Sequence, residues 1–118
     1  MKRILFVCLL FVALFAMAPA FAATQLPTLE AAMITKNFAF YPNQIAVHVG
    51  QPLRLYLTSV DVKHGFYLPD FKINKEVNPG QLTVVEFTPN KKGEYLFRCS
   101  VFCGIGHIGM TGKLFVVD

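Results

Sequence analysis

Cysteine is scarce in this chain: three in 118 residues, at positions 8, 99 and 103. Cys8 lies inside the N-terminal apolar run, too early for a lipid-attachment site, so the domain behind that run keeps only Cys99 and Cys103. A disulfide-dense scaffold is therefore excluded. Charge is sparse too: 15% of residues, 11 basic against 7 acidic. Two of the basic residues, Lys2 and Arg3, precede the apolar run, and without them the formal net charge of +4 is halved. The other basic residues are scattered, and the pair Lys91-Lys92 before Gly93 reads as a solvated turn, so there is no nucleic-acid footprint. No stretch behind the apolar run has a helical period, and no repeat or low-complexity tract occurs. Tryptophan is absent. There is no G-x-G-x-x-G, no P-loop and no G-x-S-x-G, and the absence of C-x-x-C-H counts against covalently attached haem.

What is present is hydrophobic, at 54% against the about 45–50% usual in soluble domains, which excludes disorder. The excess is local. Within residues 1–23 only Lys2, Arg3 and Pro19 fall outside the hydrophobic set. Lys2 and Arg3 make a charged start, Ile4 to about Phe15 an apolar middle, and Ala16 to Ala22 a small-residue end with Ala20-Phe21-Ala22 as an A-x-A cleavage pattern. A secretory signal over residues 1–22 is expected. The alternative is an uncleaved anchor, since the 20 residues from Ile4 to Ala23 just span about 30 Å of hydrocarbon at about 1.5 Å per residue. Either way the domain is expected in the periplasm or another extracytoplasmic space, soluble or anchored to the cytoplasmic membrane.

Residues 23–32 read as a short polar and alanine-rich linker, and 33–118 as a single domain of ordinary size. Ile45 to Val49 alternates and stops at Gly50-Gln51-Pro52, and Leu53 to Leu57 alternates with three leucines on one face. Further strands are expected at Phe71 to Val77, Leu82 to Phe87, Glu94 to Cys99 and Lys113 to Val117, with Asn78-Pro79-Gly80 and Asn90 to Gly93 as turns. Six to eight short strands at roughly ten-residue spacing predict an all-β Greek-key sandwich or small barrel.

The chemistry is concentrated at residues 99–110, where Cys99, Cys103, His107 and Met110 are interleaved with Gly104, Gly106 and Gly109. Three glycines in six residues would cost a helix about 1 kcal/mol each, so a ligand loop is expected, with the glycines taking positive φ and letting the side chains converge. His64, in Asp61-Val62-Lys63-His64-Gly65-Phe66, offers a second imidazole from another inter-strand loop. Thiolate and thioether sulfur favour copper and other soft ions, whereas magnesium would want oxygen ligands. A closed Cys2His2 zinc site would have no use for Met110, and a mononuclear blue-copper site would leave one cysteine surplus. Two copper ions bridged by both sulfurs, each completed by one histidine, use the whole set. In an oxidising compartment the two cysteines alone would read as a small-loop disulfide. Asp61, three residues before His64, is expected either to accept a hydrogen bond near that imidazole and tune it or to serve as a strand-end turn residue. His48, between Val47 and Val49, falls on the face away from the core, and Met33 reads as core.

Cys-Ser-x-x-Cys-Gly-x-Gly-His-x-x-Met at 99–110, with Asp-Val-x-His-Gly-Phe at 61–66, resembles the CuA domain of cytochrome c oxidase subunit II, a cupredoxin fold. The likeness covers about residues 36–118, including Phe38 to Pro42 and Glu94-Tyr95. It implies that Cys99 and Cys103 bridge two copper ions, that His64 and Met110 complete one, and that His107 and the backbone carbonyl of Val101 complete the other. It also implies one-electron transfer from a c-type cytochrome or other small redox protein towards haem in an oxidase, with subunit I as a partner. Departures from the family pattern are visible. Val101 stands where many relatives carry a magnesium-binding Glu, and no Trp is available for electron entry, which leaves Phe66 or Phe102 for the apolar contact. With at most one membrane span, the chain resembles the shorter bacterial forms or a free periplasmic version.

Three functions fit this reading: an electron-transfer protein, as an oxidase subunit or a soluble carrier; a periplasmic copper chaperone delivering metal to an oxidase; and a secreted disulfide-stabilised module. No nucleophile–base pair is indicated, so the chain is not catalytic alone and would take part in catalysis only as an electron-entry subunit.

Overall fold

The computed structural model describes residues 15–20 and 25–118. Most of the segment read as a signal or anchor, including Phe21 and Ala22 of its A-x-A pattern, lies outside the described residues. Among the described residues no helix is long and apolar enough to cross a membrane.

The described residues form nine strands in order: β1 (Leu29–Lys36), β2 (Ala39–Tyr41), β3 (Gln44–His48), β4 (Leu53–Ser59), β5 (His64–Leu68), β6 (Ile73–Val77), β7 (Thr83–Phe87), β8 (Gly93–Arg98) and β9 (Thr111–Val117). They form a four-stranded sheet in the order β2-β1-β4-β7 and a five-stranded sheet in the order β3-β9-β8-β5-β6. The chain passes from the first sheet at β2 to the second at β3 and back at β4, so β1 pairs with β4, and β3 with β9, in parallel. The other strand pairs are antiparallel. This is the all-β sandwich expected of the sequence.

Alternation is the cause. In β4 the buried positions are Leu53, Leu55, Leu57 and Ser59, with Arg54, Tyr56 and Thr58 on the other face. Arg54 stands in register between Glu30 of β1 and Glu86 of β7 and forms ion pairs with both, so charge matches across three strands on the outer face. In β3 Ile45 and Val47 point inward and His48 outward, where its Nδ1 lies 2.8 Å from the Asp118 backbone oxygen. Met33 is buried in the core.

Three expectations shift. The sheet begins at Leu29, inside the stretch read as a linker, because Leu29 and Ala31 pack on the core in register with Leu53 and Leu55. Phe71 ends a single 3-10 turn, Pro69–Phe71, and β6 starts only at Ile73, after Lys72 takes a left-handed conformation. His64 is the first residue of β5, paired with Val77 of β6, where the sequence suggested a loop.

The core between the sheets is centred on aromatic rings. Phe40 of the four-stranded sheet meets Phe97 at 5.1 Å and Phe66 at 6.2 Å, both edge-on, and Phe66 and Phe97 lie 5.0 Å apart. These contacts tie the two layers together directly beneath the loop that follows β8. Replacing Phe97, which is fully buried, by Ala removes one ring of the three. Such a change should lower unfolding free energy by about 3–5 kcal/mol, read as a lower urea midpoint with an unchanged slope.

Candidate metal centre

Cys99 follows the last residue of β8, and Met110 precedes the first of β9. The Cys99 backbone N–H donates to the Met110 carbonyl at 3.0 Å, continuing the β8–β9 ladder one step and closing the loop 100–109 at its neck. Within the loop, residues His107–Gly109 form one 3-10 turn, with the His107 N–H donating to the Gly104 carbonyl at 3.2 Å. β5 lies beside β8 in the sheet, with Tyr67 opposite Arg98, so His64 at the head of β5 arrives next to Cys99.

The sulfur and nitrogen atoms converge. Cys99 Sγ and Cys103 Sγ are 3.8 Å apart, and both cysteines are free. That gap is far beyond the disulfide length of about 2.0 Å. His64 Nδ1 lies 3.9 Å from Cys99 Sγ, and His107 Nδ1 lies 3.6 Å from Cys103 Sγ. Met110 Sδ is 3.9 Å from Cys103 Sγ, and the Val101 carbonyl oxygen is 3.1 Å from Cys99 Sγ. Ligand atoms of His64, Cys99 and Cys103 all lie within 4.8 Å of one another. The structure thus brings together all six residues singled out from the sequence. The donor set fits copper: two sulfurs 3.8 Å apart can both touch one ion at the usual metal–thiolate distance of about 2.3 Å, and they can do so from either side of the line between them. His64 and Met110 are fully buried, Cys99 nearly so, and Cys103, His107 and Val101 are half-buried.

Electrostatics sharpen the picture. Burial raises the Cys103 thiol, and the adjoining Cys99 thiol and the Asp61 charge push the same way, to about 11. Burial would also raise the Asp61 carboxyl, but hydrogen bonds from the Asn37 N–H, from His64 and from the Val62 N–H outweigh it and hold the group at about 2. Its contribution to stability is therefore complete above the ordinary carboxylate range and is lost as pH falls through about 2.

Two features of the local packing have little signature in the sequence. Gly65 lies so close to Ser100 that an added Cβ would overlap its hydroxyl and approach the Ser100 and Val101 backbone nitrogens to 3.1 Å. A side chain there would push the ligand loop off β5. Phe38, between β1 and β2, lays its ring over the loop: a Cβ at Gly104 would come within 2.8 Å of it, and one at Gly106 would overlap it. Of the three loop glycines, only Gly104 has positive φ, at +138°; Gly106 is needed for the close approach of Phe38, and Gly109 meets nothing within 4 Å. The expectation that all three serve backbone curvature is corrected accordingly. Sequence reasoning assigned no role to Phe38 or Gly65; aromatic residues upstream of a glycine-rich loop are the available signal for the first.

Outside the centre, Val62, Lys63, Val101, Phe102, Cys103 and Gly104 line a shallow depression over the sulfurs. Phe102 is 77% exposed with its ring 5.6 Å from the His107 imidazole, whereas Phe66 is 2% exposed and belongs to the core. Phe102 is thus the ring available at the surface.

The family model of the cupredoxin-like domain matches residues 6–116. Cytochrome c oxidase subunit 2 of Thermus thermophilus is 40% identical over 81 residues, covering 69% of this chain and 60% of that relative, so the chain spans less than two thirds of its relative's length. Among solved structures, the periplasmic domain of subunit II of cytochrome oxidase of Bradyrhizobium japonicum superposes with a TM-score of 0.71 at 26% identity, over 76% of this chain and 84% of that one. The mixed-disulfide intermediate between a thioredoxin-like protein and subunit II of cytochrome c oxidase gives a TM-score of 0.65 at 27% identity, over 76% and 82% of the two chains. A sandwich of this topology, with a histidine and two free cysteines gathered at one end and these relatives, makes the chain a member of the cupredoxin-like domain family, homologous to cytochrome c oxidase subunit 2.

Proposed function

We propose that this domain is an extracytoplasmic one-electron carrier built around a dinuclear copper centre, relaying electrons from a c-type cytochrome to a terminal oxidase. The observation that carries this reading is the pair of unbonded sulfurs 3.8 Å apart with an imidazole Nδ1 facing each. In this reading Cys99 and Cys103 would hold both ions, His64 and Met110 would complete one, and His107 and the Val101 carbonyl would complete the other. Copper bound there supplies reversible uptake and release of a single electron. The chain supplies the rest: thioether and carbonyl donors on a closed loop, a buried environment around His64 and Met110, and two ligands fixed to strand ends, so the donors move little between redox states. Periplasmic placement is supported by the Bradyrhizobium relative, described as a periplasmic domain. The mixed disulfide that the other structural relative forms with a thioredoxin-like protein supports a partner of that kind.

Docking follows from the surface. Phe102, Ile105 and Ile108 are strongly exposed within the ligand loop, with Val60 and Val62 beside His64's strand. The one charged residue lining the depression, Lys63, pairs with Glu76 at 3.4 Å. An apolar rim suits a donor that presents an apolar haem edge.

Copper loading, substitution, pH and electron-transfer kinetics each test this reading. Copper-loaded protein should hold two copper ions per chain and give an EPR hyperfine pattern of two equivalent nuclei. Cys103→Ser should abolish that pattern, while Met110→Leu should shift the potential with the metals retained; one ion per chain, or a mixed-valence spectrum surviving in Cys103→Ser, sinks the proposal. Because the Cys103 proton must leave, copper uptake at neutral pH should release it into weakly buffered solution, and affinity should fall as pH falls, copper and proton competing for the same sulfur. Electron transfer from a soluble c-type cytochrome should slow in Phe102→Ser with an unchanged copper spectrum. Its rate should vary with ionic strength by less than the roughly tenfold or greater effect of electrostatic steering.

A further inference from the structure

His64 is completely buried, yet its ring is not held by the core alone. Its Nε2 lies 2.8 Å from Asp61 Oδ1. An ionised carboxylate only accepts, so Nε2 carries the proton and the Nδ1 lone pair is left facing Cys99 Sγ. The same Oδ1 accepts the Val62 N–H at 2.6 Å and lies 3.3 Å from the Ser59 hydroxyl. The other oxygen, Oδ2, accepts the Asn37 N–H at 2.7 Å, across 24 residues of sequence. Asn37 precedes Phe38, whose ring covers Gly104 and Gly106 in the loop that carries Cys103 and His107.

We propose that Asp61 is the positioning residue for both halves of the centre: one oxygen sets the tautomer of His64, and the other seats the turn that presses Phe38 onto the ligand loop. This rests on the copper reading above for its purpose, and its geometry is independent of it. Asp61 touches neither sulfur; it acts through His64 and through Phe38. Outer partners of metal-bound histidines commonly change metal affinity by about 10–100-fold when removed.

The two roles separate by substitution. In Asp61→Asn the amide oxygen can still accept from His64 and Val62, but the NH2 then faces the Asn37 N–H, donor against donor. Asp61→Ala removes both acceptors, and Phe38→Leu weakens the cover and leaves the carboxylate. Full-length, reduced, metal-free protein is labelled with nitrogen-15 and studied by NMR at about pH 8, where an ordinary imidazole is neutral. The wild type should show His64 as the single Nε2–H tautomer and slow amide exchange at His107, Gly109 and Met110, whose N–H groups donate within the loop. Asp61→Asn and Phe38→Leu should keep the tautomer and speed that exchange. Asp61→Ala should lose the single tautomer and speed the exchange and, once copper-loaded, give up metal to a chelator about 10–100-fold faster. An unchanged tautomer in Asp61→Ala overturns the proposal, as do a wild-type His64 that is not Nε2–H and unchanged exchange at these three amides in Asp61→Asn and Phe38→Leu; the wild-type tautomer and those two variants decide the matter if Asp61→Ala does not fold. Failure of the wild type to bind copper defeats the proposed function, while tautomer and exchange still report on Asp61.

Discussion

The hydrogen bond from the Cys99 N–H to the Met110 carbonyl is the constraint on which the centre depends. It joins two residues eleven apart in sequence as neighbours across a strand pair, so Cys103 and His107 must turn back within a closed loop. The loop is closed on a rigid base: β8 and β9 pair over six residues, and Phe97 and Leu114 of these strands lie in the core. Without that neck, a glycine-rich segment would bear the full entropy of bringing four donors together. With it, most of the ordering is done by the sheet. The same argument explains why His64 stands at the head of a strand: a ligand fixed by ladder hydrogen bonds and fully buried is far less free than one on a loop tip.

Much of this was legible in the residues. The period-2 pattern of Leu53 to Leu57 and of Ile45 to Val49 located two strands almost to the residue, because each has one face in the core and one outside. The donor motif was legible because copper chemistry needs several uncommon side chains at close spacing, and few other constraints would put them there. Other parts left little trace. β5 is buried at four of its five positions, so His64-Gly65-Phe66-Tyr67-Leu68 has no alternation to read, and Gly65 looks like a breaker until Ser100 is found against it. β2 is only three residues long, and its central residue, Phe40, matters for bridging the sheets. Long-range partners such as Phe38 with Gly104 and Gly106 depend on how β1 and β2 meet the loop, which no local pattern encodes.

The surface of the sandwich differs between one sheet face and the end that holds the donors. The outer face of the four-stranded sheet carries matched charge, with Arg54 between Glu30 and Glu86, and suits water. The end that holds the donors is rimmed by Phe102, Ile105 and Ile108. Exposed apolar side chains clustered around a buried polar centre exclude water from the approach and leave room for a second apolar surface, the arrangement a short-lived electron-transfer contact needs.

The raised Cys103 thiol also bears on the time before metal arrives. Only the thiolate attacks a disulfide or an oxidant, and burial that pushes the Cys103 thiol up to about 11 leaves less of it at neutral pH than an ordinary cysteine has. In an oxidising compartment two neighbouring thiols would otherwise close quickly on each other. The burial that shapes the site therefore also makes Cys103 a weaker nucleophile before metal enters, so Cys103 is the less reactive starting point for such a closure.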